Sequence, residues 1–217
     1  MLYIIPTPIG NLEDITIRAI KLLKKSKYII LENFYKSNIL FNKYKIFKKK
    51  IIIYNKYNEN KNKNIKYIIN IIKNNKIVSL ISNSGTPLIS DPGFTIIKNL
   101  IKKNIKFITL PGPTAFIPAL INSGYPIHNF LFIGFLPTKK KKIIKIFKIK
   151  KTIIFFDNPK RFKKNFKKYS FLKNKSIFIN KEISKKFEKN IKFIYNKNQY
   201  YRIKNLKGEL TVIVNNN

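Results

Sequence analysis

Residues 80–94, LISNSGTPLISDPGF, hold two of the chain's seven glycines, two of its ten prolines and one of only nine acids. Glycine allows a backbone to take positive φ or to approach a ligand closely, and proline fixes the direction in which the chain leaves. After an apolar run such as KIVSLIS (76–82), nothing structural requires so tight a turn, so Gly85 and Thr86 are candidates for ligand contact. Asp91, Pro92 and Gly93 read as structure: Asp91 suits a helix N-cap and Pro92 the first helical position. Similar glycine- and proline-rich stretches occur in PTPIGN (6–11) and LPGP (110–113). No G-x-G-x-x-G follows a strand and no G-x-x-x-x-G-K-[ST] occurs, which argues against a nucleoside triphosphate or a conventionally held dinucleotide.

What surrounds these stretches is unusual. Of 217 residues, 46 are Lys or Arg and 9 are Asp or Glu, a formal charge of +37. That charge favours polyanions such as RNA in a salt-sensitive way. Lys, Asn and Ile dominate everywhere, including the apolar runs, which reads as compositional drift that RNA binding exploits. The rare arginines, Arg18, Arg161 and Arg202, are therefore more informative than the lysines. Cysteine is absent and His128 is the single histidine, which excludes disulfides, thiolate nucleophiles and histidine-rich metal sites; no metal is expected. No apolar run reaches the ~18 residues that span a bilayer, and MLYIIPTPIG lacks the features of a secretory leader. The expectation is a cytoplasmic, soluble protein with no membrane partner.

Strands are predicted over 2–6, 27–31, 51–54, 76–82 and 105–110, with helices over 13–25, 59–74 and 94–103 between them. Alternation of this kind implies βαβ units and a mostly parallel sheet, whose ligands sit outside the carboxyl ends of the strands. The texture changes near 134–142. GFLP closes a strand, basic helices are predicted at 139–150 and 160–168, and strands at 152–159, 175–183 and 208–214. The fold class is α/β with two α/β domains: residues 1–136, with a mostly parallel sheet, and a smaller domain over 137–217.

LYIIPTPIGNLEDITIRAIKLL, LISNSGTPLISDPGF, LPGPTAFIPALINSGYP, FIGFLP and TIIFFDNPKRF occur in this order across nearly the whole chain, about residues 2 to 214. Together they resemble the tetrapyrrole-methylase fold superfamily (class III S-adenosylmethionine methyltransferases), in its branch acting on small-subunit ribosomal RNA. The resemblance implies a mixed sheet in the second domain and S-adenosyl-L-methionine as cofactor, held in an interdomain cleft. It also implies methyl transfer to a cytidine ribose 2′-oxygen of 16S rRNA at the decoding centre, and a homodimer. There are departures. Where the family carries Ala-Glu-Asp-Thr-Arg, this chain has LENFY, keeping Glu32 with Asn33 for the acid; where it carries Asp-Ala-Gly-Thr-Pro, this chain has NSGTP, with Asn83. FFDNPKR and KEISK stand for Phe-Tyr-Glu-Ser-Pro-His-Arg and Arg-Glu-x-Thr-Lys, and no helical extension follows GELTVIVNNN.

Carried over position by position, the resemblance places Pro8, Ser84, Gly85, Thr86 and Ile89 beside the methionine and ribose. Pro113, Thr114 and Ala115 fall near the methionyl part or adenine, with Phe156, Asp157, Gly208, Glu209 and Leu210 closing over adenine. For Phe156 a buried strand aromatic is an equal reading. Transfer to a ribose hydroxyl needs in-line geometry and a route for its proton. Glu182 and Lys185 are the candidates for that route, with Glu32 as another carboxylate at a strand end; pairing with lysines is the competing reading, above all for Glu32. Lys160, Arg161, Lys163 and Lys164 are candidates to grip RNA phosphates, against a solvated helix face.

Two other functions compete. A methylase of the same fold acting on a tetrapyrrole or a protein is disfavoured by PTPIGN and SGTPLISDPG, since tetrapyrrole enzymes usually show Gly-Asp-Pro there. A decayed RNA-binding or ribosome-assembly protein is favoured by Asn33 and Asn83 standing in for acids; saturable cofactor binding separates it from an enzyme.

Overall fold

The computed structural model describes residues 1–59, 61–166 and 169–216. Its chain divides into two compact units, Met1–Thr114 and Ala115–Asn217.

In the first unit, β1 (Leu2–Ile4) pairs in parallel with β4 (Val78–Leu80) and β5 (Phe107–Thr109). β2 (Tyr28–Leu31) joins β4 to β3 (Lys50–Ile53), giving the all-parallel order β3-β2-β4-β1-β5. Successive strand residues point to opposite faces, and both faces here are apolar. Ile29 and Leu31 pack with Ala19 and Leu23 of α1 (Ile17–Lys25) and Leu40 and Phe41 of α2 (Phe34–Tyr44). Ile30 and Leu80 pack on the other face with Ile68 and Ile72 of α3 (Asn62–Asn74) and with Ile96 and Leu100 of α4 (Phe94–Lys102). Each such Ile, Leu or Phe side chain, fully buried, contributes roughly 1.5–3 kcal/mol.

From β2 the chain runs outward to β3, and from the adjacent β4 it runs the other way, to β5. Neighbouring strands whose connections diverge leave a crevice at their carboxyl ends. That crevice lies between the loops after Leu31 and after Leu80.

In the second unit the order is β6-β7-β10-β8-β9, from β6 (Phe130–Phe135), β7 (Thr152–Asp157), β8 (Ser176–Lys181), β9 (Lys189–Ile194) and β10 (Leu210–Asn215). β6 and β7 are parallel and the other pairs antiparallel, so the sheet is mixed. Ile153 and Phe155 face α6 (Lys140–Phe147) and α7 (Pro159–Phe166), while Ile154 faces α5 (Phe116–Ser123).

Several boundaries differ from the sequence expectation. The units divide at residue 114 rather than 136, because β6 hydrogen-bonds to β7 and α5 packs under the second sheet. The helix after residue 91 starts at Phe94 with Gly93, φ 138°, in the capping position, so Asp91 is not the N-cap. The helix expected over 13–25 begins at Ile17, where Thr16 Oγ1 accepts from the Ala19 amide. α2, α5 and β9 were not anticipated: α5 carries Pro118 in its first turn, where a missing N–H costs little, and β9 is a lysine-rich strand. Residues 167 and 168 of the second basic helix, and residue 60 of the helix expected over 59–74, lie outside the described residues.

Candidate active site

At the carboxyl edge of the parallel sheet, loops after β1, β2, β4 and β5 are tied to one another. The backbones of Thr7 and Gly85 exchange two hydrogen bonds of 2.9 Å. The Thr7 hydroxyl donates to the Ser82 carbonyl at 3.2 Å, and Ser82 Oγ donates to the Gly85 carbonyl at 3.0 Å. Thr86 Oγ1 donates to the Pro113 carbonyl at 2.9 Å, bringing in the loop after β5. Asn83 Nδ2 donates to Glu32 Oε2 at 2.6 Å across the crevice between β4 and β2.

The central loop is held in costly conformations. Gly85 has φ 80°, and a Cβ there would lie 3.3 Å from Ile9 Cγ2. Leu88 (φ 71°) and Ser90 (φ 68°) occupy the left-handed region without being glycine, at about 1–3 kcal/mol each. Gly93 is a packing glycine: a Cβ would meet Leu88 Cδ1 at 2.9 Å. Around the same edge, Pro8 is buried, Thr86, Pro113 and Thr114 are half-buried, and Ser84 and Ile89 are exposed. Asn83 Oδ1 is buried without a hydrogen-bond partner among the described residues. Thr7 and Ser82 escaped the sequence reading; buried polar residues inside the proline- and glycine-rich stretches were the available signal.

The second unit gathers its own set along one sheet edge. Leu210 stands opposite Asp157 on one side and Lys181 on the other. Ala115, assigned to the cofactor by resemblance, opens this unit as the residue before α5. Glu182 (φ 54°) and Ser184 (φ 61°) force a left-handed turn after β8. The Glu182 amide donates to the Glu209 carbonyl at 2.9 Å, and Glu182 Oε1 accepts from the Glu209 amide at 2.7 Å and from Lys185 Nζ at 3.1 Å. Lys185 Nζ also reaches Glu209 Oε2 at 2.8 Å. Gly208 (φ 88°) is required by this packing, since a Cβ would fall 2.4 Å from the Glu182 carboxyl carbon. Asn180 and Glu188 complete the turn: Asn180 Nδ2 donates to Glu188 Oε1 at 2.9 Å, and the Ser184 amide donates to Glu188 Oε2 at 2.7 Å.

These contacts set the charges. Partial burial pushes the Glu182 carboxyl up, but the Glu209 amide and Lys185 outweigh it and hold its pKa below the ordinary 4.5. Partial burial pulls Lys185 down, but Glu209 and Glu182 raise it above 10.5. Neither group sits near the neutral range that suits proton transfer. In its contacts, Glu32 bonds to an amide and makes no ion pair among the described residues.

The RNA candidates also divide. Arg161 Nε meets buried Asp157 Oδ1 at 2.7 Å, its Nη atoms reach the Leu136 and Phe156 carbonyls at 3.3 Å, and its guanidinium lies over Phe135. Lys163 Nζ caps the Lys204 and Leu206 carbonyls at 3.0 Å. Lys160 and Lys164 are exposed. Phe156 is half-buried and meets Phe132 edge-on at 5.1 Å. Burial raises Asp157 above 3.8 although Arg161 and the Asn158 amide oppose it. No described helix is long and apolar enough to cross a membrane.

Residues 1–193 match the family described as tetrapyrrole (corrin/porphyrin) methylases. The chain is 46% identical over 141 residues to the "Ribosomal RNA small subunit methyltransferase I" of Hydrogenobaculum sp. (strain Y04AAS1), a match spanning 65% of this chain and 60% of that protein. It is 38% identical over 163 residues to the protein of the same name from Thermotoga maritima, over 74% and 72% of the two chains. The chain thus spans less than two thirds of the Hydrogenobaculum relative. In fold, it resembles the crystal structure of uroporphyrin-III C-methyl transferase from Thermus thermophilus complexed with S-adenyl homocysteine, with TM-score 0.65 and 15% identity over 98% and 96% of the chains.

Proposed function

We propose that this chain, which belongs to the tetrapyrrole (corrin/porphyrin) methylase family, methylates a cytidine ribose 2′-oxygen of 16S rRNA at the decoding centre of the small ribosomal subunit, using S-adenosyl-L-methionine. The observation that carries the reading is the joined set of loops at the switch of the parallel sheet, in a chain similar over most of its length to proteins named for small-subunit ribosomal RNA methylation. A cytoplasmic enzyme working as a homodimer is part of the same proposal.

The residues fit the cofactor. Its amino acid and ribose parts need backbone groups and small side chains at close range, and the Ser84–Gly85–Thr86 segment offers both. Asn83 Oδ1, buried without a partner among the described residues, suits an ammonium or hydroxyl donor. In this reading Pro8, Ile89, Pro113 and Thr114 shape the same cradle, while Ala115, Phe156, Asp157 and Leu210 are cofactor candidates on the resemblance alone. When bound, S-adenosylmethionine supplies a methyl group already activated on a sulfonium.

The chain's own work is then placement and one proton. Strained, cross-braced loops cannot relax, so they hold the reacting oxygen in line; such positioning alone removes several kcal/mol of barrier. Glu32 is the carboxylate assigned to accept the ribose proton, directly or through water, with Asn83 fixing one of its oxygens. Glu182 and Lys185 act as positioning residues: locked to each other and to Gly208 and Glu209, they orient the turn after β8. Lys160 and Lys164 take RNA phosphates, while Arg161 and Lys163 hold the fold beneath them.

The deciding experiment incubates the protein with methyl-labelled S-adenosylmethionine and either small ribosomal subunits or precorrin, then maps 2′-O-methyl sites by resistance to alkaline hydrolysis. Label at a single cytidine of 16S rRNA is expected. Label in precorrin alone, or none with either substrate despite saturable cofactor binding, would refute the reading.

A further inference from the structure

The first turn of α2 displays aromatic rings in the open. Tyr35 is 86% exposed, Phe34 40% and, one turn on, Ile39 63%. The rings are not loose. Phe34 lies 6.4 Å from buried Phe41, and Tyr35 meets Phe34 edge-on at 6.3 Å. Asn33 caps the helix by accepting from the Lys36 amide at 3.2 Å, fixing where the turn begins. The result is an ordered pair of exposed aromatic rings at the start of α2.

Its place is informative. Tyr35 follows Glu32 by three residues, a span of at most about 11 Å, so the aromatic pair borders the Glu32–Asn83 pair. Lys36 and Lys43 share the helix, and its first turn holds no acid. A second copy of the chain is a poor occupant, because a two-fold contact sets each patch against itself and would bring the same lysines together. A partner with flat apolar faces and regularly spaced negative charge matches both features.

We propose that Tyr35, supported by Phe34, is a stacking platform for an unpaired nucleobase next to the nucleotide being modified, with Lys36 on the adjoining phosphate. The proposal rests on the rRNA reading above and deepens it. Aromatic side chains stack on any base, and RNA is recognised chiefly where its bases are unpaired.

The chain contains no tryptophan, so Tyr35→Trp installs a single reporter. Its fluorescence should be quenched saturably by a single-stranded oligoribonucleotide, much less by the same strand in a duplex, and not by inorganic polyphosphate. Tyr35→Leu should weaken single-strand binding about tenfold and raise KM for RNA, while leaving kcat and cofactor affinity unchanged. Equal quenching by polyphosphate, or an unchanged affinity in Tyr35→Leu, overturns the platform. So does a change in oligomeric state by light scattering with RNA affinity intact. If Tyr35→Trp is quenched but the wild type methylates no rRNA, the functional reading fails alone; if the wild type methylates rRNA and Tyr35→Leu behaves identically, the platform fails alone.

Discussion

Asn83 donates to Glu32 at 2.6 Å, joining the carboxyl ends of β4 and β2 through an amide rather than a cation. In a chain with 46 lysines and arginines, a half-buried carboxylate outside any described ion pair is poised to accept a further proton donor.

Glu32→Gln should therefore lower single-turnover methyl transfer by ~10²–10⁴-fold, the usual worth of a positioned base. Cofactor affinity by calorimetry should stay within about twofold. A rate equal to wild type would leave in-line positioning as the whole of the catalysis.

Gly85→Val should abolish cofactor binding while thermal unfolding remains cooperative. The substitution adds a Cβ 3.3 Å from Ile9 Cγ2 at φ 80°, and the strain is worth about 1–3 kcal/mol. Wild-type affinity in this variant would move the cofactor elsewhere.

Glu182 carries a pH signature. Its folded pKa is depressed, so its contribution to stability is present above the ordinary 4.5 and is lost as pH falls through the lower folded value. Urea midpoints of the wild type should drop across that acid range more steeply than those of Glu182→Gln. Turnover of Glu182→Gln should fall through misplacement of the turn, with no shift in the neutral limb of the rate profile. A shifted limb would make Glu182 the base instead.

Arg161 and its lysine neighbours should separate fold from RNA contact. Arg161→Met leaves the Asp157 carboxylate buried without its cation, at a cost of roughly 3 kcal/mol, the low end for a broken buried pair because the guanidinium is partly exposed. Because burial already raises the folded pKa of Asp157, this loss should be largest at neutral pH and shrink as pH falls and the carboxyl protonates. Lys160→Ala and Lys164→Ala should leave the melting temperature unchanged and each reduce the slope of log affinity against log salt by about one. Loss of RNA binding in Arg161→Met without loss of stability would restore Arg161 as a direct contact.

Local chemistry made much of this protein legible in one dimension. Short continuous runs of Ile and Leu mark strands wherever both faces are buried, and glycine and proline mark strand ends because few other residues make those turns. The parallel first sheet and the SGTP loop follow from such signals. β9 and α2 stayed hidden because their lysines and asparagines occur throughout the chain, and only packing distinguishes Ile191 and Phe193, or Leu40 and Phe41, as inward. Partner choice is likewise tertiary. Glu32 and Glu182 are both rare carboxylates beside lysine-rich sequence, yet Glu32 meets Asn83, 51 residues away, and Glu182 meets Lys185 and the Glu209 amide. Hydrogen bonds depend on distances of about 3 Å in space, which sequence order does not encode, so the sequence named the carboxylates and the fold decided which one is held and which one is offered.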